Sequence, residues 1–460
     1  MELRDGILHN DDGTPYNDVL YGQIPAEQLH VDLINTNYFQ RMGNILQNGF
    51  SYMDFPDMES HTRMGHSIGA FHKTSKILDA RKRRNVVHPA YQRIARVQAL
   101  LHDLGHAPLS HALEPVLGIK HEKRTTQIIT GDTDVNRVLT KHGFSDQEIE
   151  LLSSKNTGFL GKVLDGSIDV DKQDYLPRDA HYAGKKLGTN FDNIMQALIV
   201  AFNESGSPEI CIDKKYLTDV DQMISDRRWM YQNVYFSDAP MAAESALLPM
   251  LTEYVPFLIR NGFITETGLH PIIQKVLMKD GELRLPEFLH FDERLWNTGL
   301  NVLAQKNDKL LKYMLGNRGK DAIKDFTVSY ISEKVQEGPD VPKEDIGKID
   351  HEGVYAKKRL ETFGDSKAKS FGLTKRTASY RTYKEGGIRV AYPDGSLREL
   401  ANESASLREA ADTQIVDSRI CENSTIIKIE QQSHLDEKSP LGQFLHQASQ
   451  TNNDINKDSH

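Results

Sequence analysis

Leu101-His102-Asp103-Leu104-Gly105-His106-Ala107-Pro108-Leu109-Ser110-His111 is the stretch on which the reading of this chain turns. It sets three histidines after a leucine-rich run, with a carboxylate beside the first of them. Upstream, Ile94, Val97, Leu101 and Leu104 recur at helical spacing, which predicts a buried helix from about Pro89 to Gly105. His102 and Asp103 then fall in its last turn, and Gly105 and Pro108 are the stop signals. An imidazole nitrogen and a carboxylate oxygen at neighbouring positions suit a divalent metal. A helix end with polar caps would show the same pair, so the pair alone leaves both readings open.

Toward the N-terminus, Met64, Ile68, Phe71 and Leu78 mark a second buried helix. Arg63 and His66 share one of its faces with Gly65, Gly69 and Ala70, small residues that admit a ligand or another backbone. A packing face with one tolerated histidine is the alternative. Before it, a helix is expected to follow Asn35-Thr36, with Phe39, Met42, Ile45 and Leu46 on one side and Gln47-Asn48-Gly49 as its end. Residues 1 to about 30 read as short extended pieces broken by Asp11-Asp12-Gly13 and Tyr21-Gly22. Arg81-Lys82-Arg83-Arg84 reads as a solvated loop or a phosphate contact.

Toward the C-terminus, His111 and Glu114 lie three apart on one face of a short helix, the residue types and spacing of an acid/base pair. His121 opens the next helix, and Ser145 with Glu148 forms a capping box for another. The second dense stretch is Asp169-Val170-Asp171-Lys172-Gln173-Asp174-Tyr175-Leu176-Pro177-Arg178-Asp179. As a helix from about Asp171 it aligns Asp171, Tyr175 and Asp179, with Lys172 beside them. Pro177 is expected only in a first turn or at a kink.

The whole chain has 460 residues and a net charge of -9, which argues against a nucleic acid as the main partner, since phosphate neutralisation needs basic surface. Cys211 and Cys421 are far apart and form no metal spacing, so a reducing cytoplasm is the expected setting. The N-terminus shows no apolar signal core, and no run approaches a membrane span. The fold class expected is mainly α, with small β elements at the N-terminus, mid-chain and in the C-terminal region. Leu198 to Phe202 and Glu209 to Asp213 read as a hairpin, and Asp226 to Tyr235 as a helix with an aromatic and basic side. Loops or a linker are expected between about Glu333 and Arg376, and strands over Tyr380 to Tyr392 and Ser424 to Ile429. The expected organisation is an extended segment over 1–34, a core over 35–240, a helical extension over 241–332, a linker with a small α+β region over 333–430, and a polar, disordered tail over 431–460.

Four ordered blocks together carry a resemblance: Phe39-Gln40-Arg41, His61-x-Arg63-x-x-His66-Ser67-x-Gly69, the stretch His102 to His111, and Asp169-Val170-Asp171-Lys172-x-Asp174-Tyr175-x-x-Arg178-Asp179. The chain resembles the HD phosphohydrolase superfamily, and within it the deoxynucleoside triphosphate triphosphohydrolases, most strongly over residues 17–240. The resemblance implies an HD-domain helical core with the site at its centre. It implies that His66, His102, Asp103 and Asp171 hold one divalent ion (Mn, Fe, Mg, Zn, Co and Ni are not told apart), with a second Mg arriving with the substrate. It implies that His111 with Glu114 moves a proton, and that His106 and His121 bind near the α-phosphate. Arg63, Lys172 and Arg227 would meet phosphates; Tyr175, Asp179, Tyr235 and Gln47 would hold the sugar. Relatives that reject ribonucleotides carry a leucine where Asn48 stands, so discrimination against a 2′-hydroxyl is expected to be weaker here. A dNTP substrate and a homo-oligomer, dimer or tetramer, are implied too. The alternatives are an HD metal phosphohydrolase acting on a cyclic or modified nucleotide, and a nucleotide-binding regulatory protein.

Overall fold

Three helices carry the site, and glycines set how closely they are flanked. In the computed structural model the described residues are 1–79, 88–153, 166, 168–202, 208–337, 370–371, 373–381, 388–404, 407–408, 410, 413–436 and 438–455. Two short hairpins open the chain, β1 (Glu2–Arg4) with β2 (Ile7–His9) and β3 (Asn17–Asp18) with β4 (Gly22–Gln23), both antiparallel. Helices α1 (Gln28–Ile34) and α2 (Asn37–Arg41) follow, the second capped by the Thr36 side chain accepting from Phe39 N. The expected helix after Thr36 is therefore short; it tightens into a 3-10 turn over Met42–Asn44 instead of running to Gln47.

Helix α3 (Arg63–Asp79) buries Ile68, Phe71, Ile77 and Leu78. It packs against α4 (Pro89–Leu101) and, through Gly69, against the later helix that carries Asp174. A Cβ on Gly69 would stand 2.0 Å from Asp174 Oδ1 and 2.3 Å from Arg178 Nη2, so only glycine permits this approach. Helix α4 starts with His88 accepting from Ala90 N and Pro89 in its first turn, and buries Ile94, Val97 and Leu101. It stops at Leu101 with His102 as its cap, earlier than the expected end at Gly105. Gly105 serves packing rather than termination: a Cβ there would lie 2.0 Å from His121 O.

The chain continues through α5 (Glu114–Leu117), α6 (His121–Thr130), α7 (Asp134–Lys141) and α8 (Asp146–Ser153). The Ser145–Glu148 capping box forms, with Ser145 N donating to Glu148 Oε2 at 2.9 Å and Glu148 N to Ser145 Oγ at 3.3 Å. Helix α9 (Val170–Tyr182) is capped by Asp169, which accepts from Lys172 N at 2.8 Å. Pro177 lies inside it, past the first turn, and the helix runs on to Tyr182. After α10 (Phe191–Ala197), strands β5 (Leu198–Phe202) and β6 (Pro208–Asp213) form the mid-chain hairpin. Helix α11 (Leu217–Met230) follows and opens into a wide π-type turn over Tyr231–Tyr235.

The chain divides into two compact units. The first comprises Met1–Val234, Arg284–Glu293 and Arg381–Thr413, and holds α1 to α11. Its sheet has the order β8-β7-β6-β5, where β7 (Arg389–Ala391) runs parallel to β6 and antiparallel to β8 (Leu397–Glu399). The second comprises Tyr235–Leu283, Arg294–Tyr380 and Gln414–His460. Within it, Tyr254, Phe257, Phe371 and Phe444 form an aromatic core, and Tyr254 donates to Asp308 at 2.8 Å.

Two C-terminal expectations change. Ser424–Leu435 is a helix, not a strand, with Asn423 accepting from Thr425 N and Ile426 N. A further helix, Pro440–Ile455, occupies most of the expected disordered tail because Leu441, Phe444 and Leu445 are buried. The linker expected from about Glu333 begins inside a strand, Thr327–Glu337, and then lies mostly outside the described residues, as does Arg81 to Arg84. Among the described residues, no helix is long and apolar enough to cross a membrane.

Candidate active site and metal centre

Helices α3, α4 and α9 deliver His66, His102 and Asp171 to one point. His66 Nε2 lies 3.3 Å from His102 Nε2 and 2.9 Å from Asp171 Oδ1, and His102 Nε2 lies 3.5 Å from that same oxygen. Asp103 stands alongside, 3.3 Å from His102 Nε2 and 3.7 Å from His66 Nε2. A first-row divalent ion bound at about 2.0–2.2 Å has ligand-to-ligand edges of about 2.9–3.6 Å, the spacing seen here. His66 and Asp103 are buried, whereas 28% of the His102 side chain and 35% of that of Asp171 remain exposed, so the nest is closed below and open above.

Hydrogen bonding explains why this nest suits a cation. His66 Nδ1 lies 2.8 Å from Asp174 Oδ2 and His102 Nδ1 lies 2.9 Å from Ala99 O. Both acceptors lack a proton, so both Nδ1 atoms donate and both Nε2 atoms face the nest. Two imidazole Nε2 atoms and two carboxylates facing one another call for positive charge, carried by protons on the rings or by an ion between them. The titration behaviour agrees: burial works to lower His66, but its bonds to Asp171 and Asp174 prevail and lift it to about 10. Burial likewise works to raise Asp171, yet His102 and His66 hold it well below the usual carboxylate range. The donor set, two imidazoles with one or two carboxylates, fits a divalent transition metal or a harder ion that keeps water.

Asp103 also faces a second cluster. Its Oδ1 lies 3.4 Å from His106 Nε2. The His106 ring stacks on His121 at 3.8 Å and meets His111 edge-on at 4.9 Å. Glu114 Oε1 sits between His111 Nδ1 at 3.1 Å and His121 Nδ1 at 2.7 Å. Burial pushes Glu114 up, but the two histidines overcome it and keep the carboxylate ionised. Burial, reinforced by Arg63 and His121, holds His106 well below its ordinary range, so its ring is neutral at physiological pH. His106 Nδ1 is buried with no hydrogen-bond partner among the described residues.

The turn between His106 and His111, inside the second cluster, is strained. Leu109 and Ser110 have φ of 59° and 50°, left-handed values that β-carbon-bearing residues rarely adopt. Glu293 Oε1 accepts from Leu109 N at 2.8 Å, and Ser110 Oγ donates to Leu46 O at 2.8 Å. Arg41 holds the start of the turn, donating to His106 O at 2.7 Å and to Phe291 O at 3.0 and 2.6 Å. Glu293 could not be picked out from the sequence, because its partner lies 184 residues away.

The remaining expected contacts are distributed unevenly. Arg63 is buried and donates to Asp103 Oδ2 at 2.6 Å, to Gln47 O at 3.0 Å and to Ser110 Oγ at 3.2 Å, so it ties three segments together. The Gln47 side-chain oxygen is buried without a partner among the described residues, as is the Asn48 side-chain nitrogen. Lys172 turns to Asp169 Oδ2 at 2.5 Å and Gly166 O at 3.0 Å. Tyr175 accepts from Arg227 Nε at 3.3 Å, and its ring lies 6.4 Å from His66. Asp179 is buried, with its Oδ1 2.8 Å from His61 Nε2, a histidine quoted in the sequence motif without a role. Tyr235 ends the wide turn and is the first residue of the second unit.

No family model matches the chain. It is 32% identical over 274 residues, 58% of its length, to the uncharacterized protein YwfO of Bacillus subtilis, and that match spans 61% of the relative. It is 29% identical over 263 residues to the deoxynucleoside triphosphate triphosphohydrolase SAMHD1 homolog of Dictyostelium discoideum, covering 53% of this chain and 49% of that one. The match thus spans about half to three fifths of these relatives. A crystal structure of a phosphohydrolase from Bacteroides thetaiotaomicron shares the fold with a TM-score of 0.65 at 22% identity, covering 88% of this chain and 98% of that one.

Proposed function

We propose, for a chain that belongs to the HD-domain, dNTPase-like family, that it is a metal-dependent dNTP triphosphohydrolase. One observation supports this reading above the others: an ion-fitting nest and a histidine–glutamate cluster meet at one residue, Asp103, whose Oδ1 lies 3.3 Å from His102 Nε2 and 3.4 Å from His106 Nε2. In this reading His66, His102, Asp103 and Asp171 hold the ion, which supplies Lewis-acid activation of the α-phosphate when bound. Glu114 orients His111 and His121 from between them. His111, the exposed member, passes a proton to the 5′-oxygen as the bond from that oxygen to the α-phosphorus breaks and a water oxygen bonds to the phosphorus. The products are a deoxynucleoside and intact triphosphate. His106 and His121, stacked on each other, line the α-phosphate side. Arg63, Lys172 and Arg227 supply positive charge, and Lys172 would exchange Asp169 for a phosphate oxygen. Tyr175, Asp179 and Gln47 complete the sugar site within the first unit.

The homo-oligomeric state and the cytoplasmic setting belong to the same proposal. They rest on the family resemblance and on two buried, unlinked cysteines, Cys211 and Cys421. The test is an assay of every dNTP and NTP with Mn, Mg, Co, Fe, Ni and Zn in turn, comparing wild type with Asp171→Ala. Deoxynucleoside release by the wild type and its loss in the variant, together with loss of bound metal, is the expected outcome. Turnover undiminished in Asp171→Ala would refute the assignment, and exclusive turnover of a cyclic nucleotide would favour the alternative phosphohydrolase.

A further inference from the structure

The metal-facing side of His66 is only half of its surroundings. Behind the ring, Asp174 Oδ2 accepts from His66 Nδ1 at 2.8 Å and from Arg178 Nε at 2.9 Å. Arg178 Nη2 donates to the other Asp174 oxygen at 2.9 Å, which makes the pair bidentate. The same guanidinium then reaches the N-terminal hairpin, donating from Nη1 to Asp18 Oδ2 at 2.9 Å and from Nη2 to Asp18 Oδ1 at 3.2 Å. Asp18 is itself fixed by Leu20 N at 2.9 Å and Tyr21 N at 3.2 Å. All four side chains are at most 2% exposed. Gly69 is the opening in α3 that admits both Asp174 and Arg178.

We infer that Asp174, Arg178 and Asp18 form a positioning relay that fixes the tautomer and basicity of His66, so that the N-terminal hairpin is part of the metal site. The inference rests on the metal reading proposed above and deepens it. The charge count gives its direction. Two carboxylates around one guanidinium leave a net negative charge on the hydrogen-bonded set, with the buried Lys73 ammonium nearby but outside it, and the set ends against the proton-bearing nitrogen of a ligand histidine. That charge strengthens the opposite nitrogen as a donor, as carboxylates behind ligand histidines do elsewhere. A purely structural ion triad would have no reason to end on a ligand, and buried pairs of this kind are weak evidence for stability. The rigid fork of Arg178 fixes Asp174 on both oxygens, so its carboxylate cannot swing away from the ring.

The test is cobalt binding by the full-length apoprotein, read by visible absorption and by competition with a chelator, alongside the thermal midpoint of each apo variant. Asp18→Asn keeps the shape and removes one negative charge. Arg178→Lys keeps the charge and removes the fork. Each is expected to weaken cobalt binding roughly 10- to 100-fold, to alter the cobalt spectrum, and to lower kcat more than it raises KM. Asp171→Ala, which removes a ligand outright, should abolish binding. Should Asp18→Asn fail to fold, Arg178→Lys and Asp174→Asn carry the test. Wild-type affinity and spectrum in the folded variants would overturn the relay while leaving the metal site standing. A wild-type protein that takes up no cobalt would overturn the metal reading itself.

Discussion

His111 exposes 68% of its side chain while Glu114 grips its Nδ1, so its other nitrogen is free to meet a substrate from solvent. His111→Ala is therefore expected to keep metal and nucleotide binding and to lower kcat by a factor on the order of a hundred or more. Steady-state kinetics alongside equilibrium nucleotide binding check this, and an unchanged kcat would reduce His111 to a surface residue. Asn48 offers a second point of control, because its buried amide nitrogen has no partner among the described residues. Asn48→Leu should sharpen the preference for dATP over ATP about 2- to 10-fold, the value of one neutral hydrogen bond. The ratio of the two kcat/KM values measures it, and an unchanged ratio would place Asn48 away from the sugar. Much of this chemistry could be read along the chain, since His102 and Asp103 are adjacent and Arg63 and His66 share a helix turn. What could not be read is what those residues touch from behind. Asp18 meets Arg178 across 160 positions and Glu293 meets Leu109 across 184, and no local pattern marks such partners. Nor does a sequence show that Lys172 turns to Asp169 or that Asp179 is bound to His61.

Helix α3 illustrates how an element carries function by what it leaves out. Gly69→Ala would drive a methyl group into Asp174 and Arg178, and overpacking of this kind costs about 1–3 kcal/mol. A lower thermal midpoint with weakened metal retention is expected; a midpoint equal to wild type would show that α9 can yield. Helix α1 makes a different prediction. His30 is buried against Phe71, its Nδ1 accepts from Glu27 N at 3.1 Å, and burial together with Arg96 and Arg93 lowers it from 6.5 to about 3. A depressed imidazole favours the folded state fully above pH 6.5, and that contribution fades as pH falls toward 3. By pH 5 the loss amounts to about 2 kcal/mol. Urea unfolding of wild type against His30→Gln should show the variant losing less stability between pH 7 and pH 5 (both roughly chosen to bracket the transition). Parallel pH profiles would contradict this. The periodicity of α3 and α4 was legible because their apolar faces are continuous. The helix Pro440–Ile455 was not, because its large apolar residues known to be buried, Leu441, Phe444 and Leu445, stand among polar neighbours. The early end of α4 was hidden for another reason: Leu104 keeps the helical spacing but is buried from a turn, with its N–H donating to Leu101 O at 3.3 Å.

Taken as a molecule, the first unit concentrates its buried polar groups around the two clusters that Asp103 joins, and the strained Leu109–Ser110 turn brings His111 against His106 within the second cluster. That arrangement suits cleavage at the phosphorus nearest the sugar, with the proton donor on one side of the α-phosphate and the ion on the other. The account stands or falls on which bond breaks. Phosphorus-31 spectra of the products formed from dATP or dGTP by the metal-loaded protein measure this directly. Inorganic triphosphate and deoxynucleoside are expected, with no pyrophosphate, orthophosphate or deoxynucleoside monophosphate at early times. Pyrophosphate with the monophosphate, or orthophosphate with the diphosphate, would contradict it.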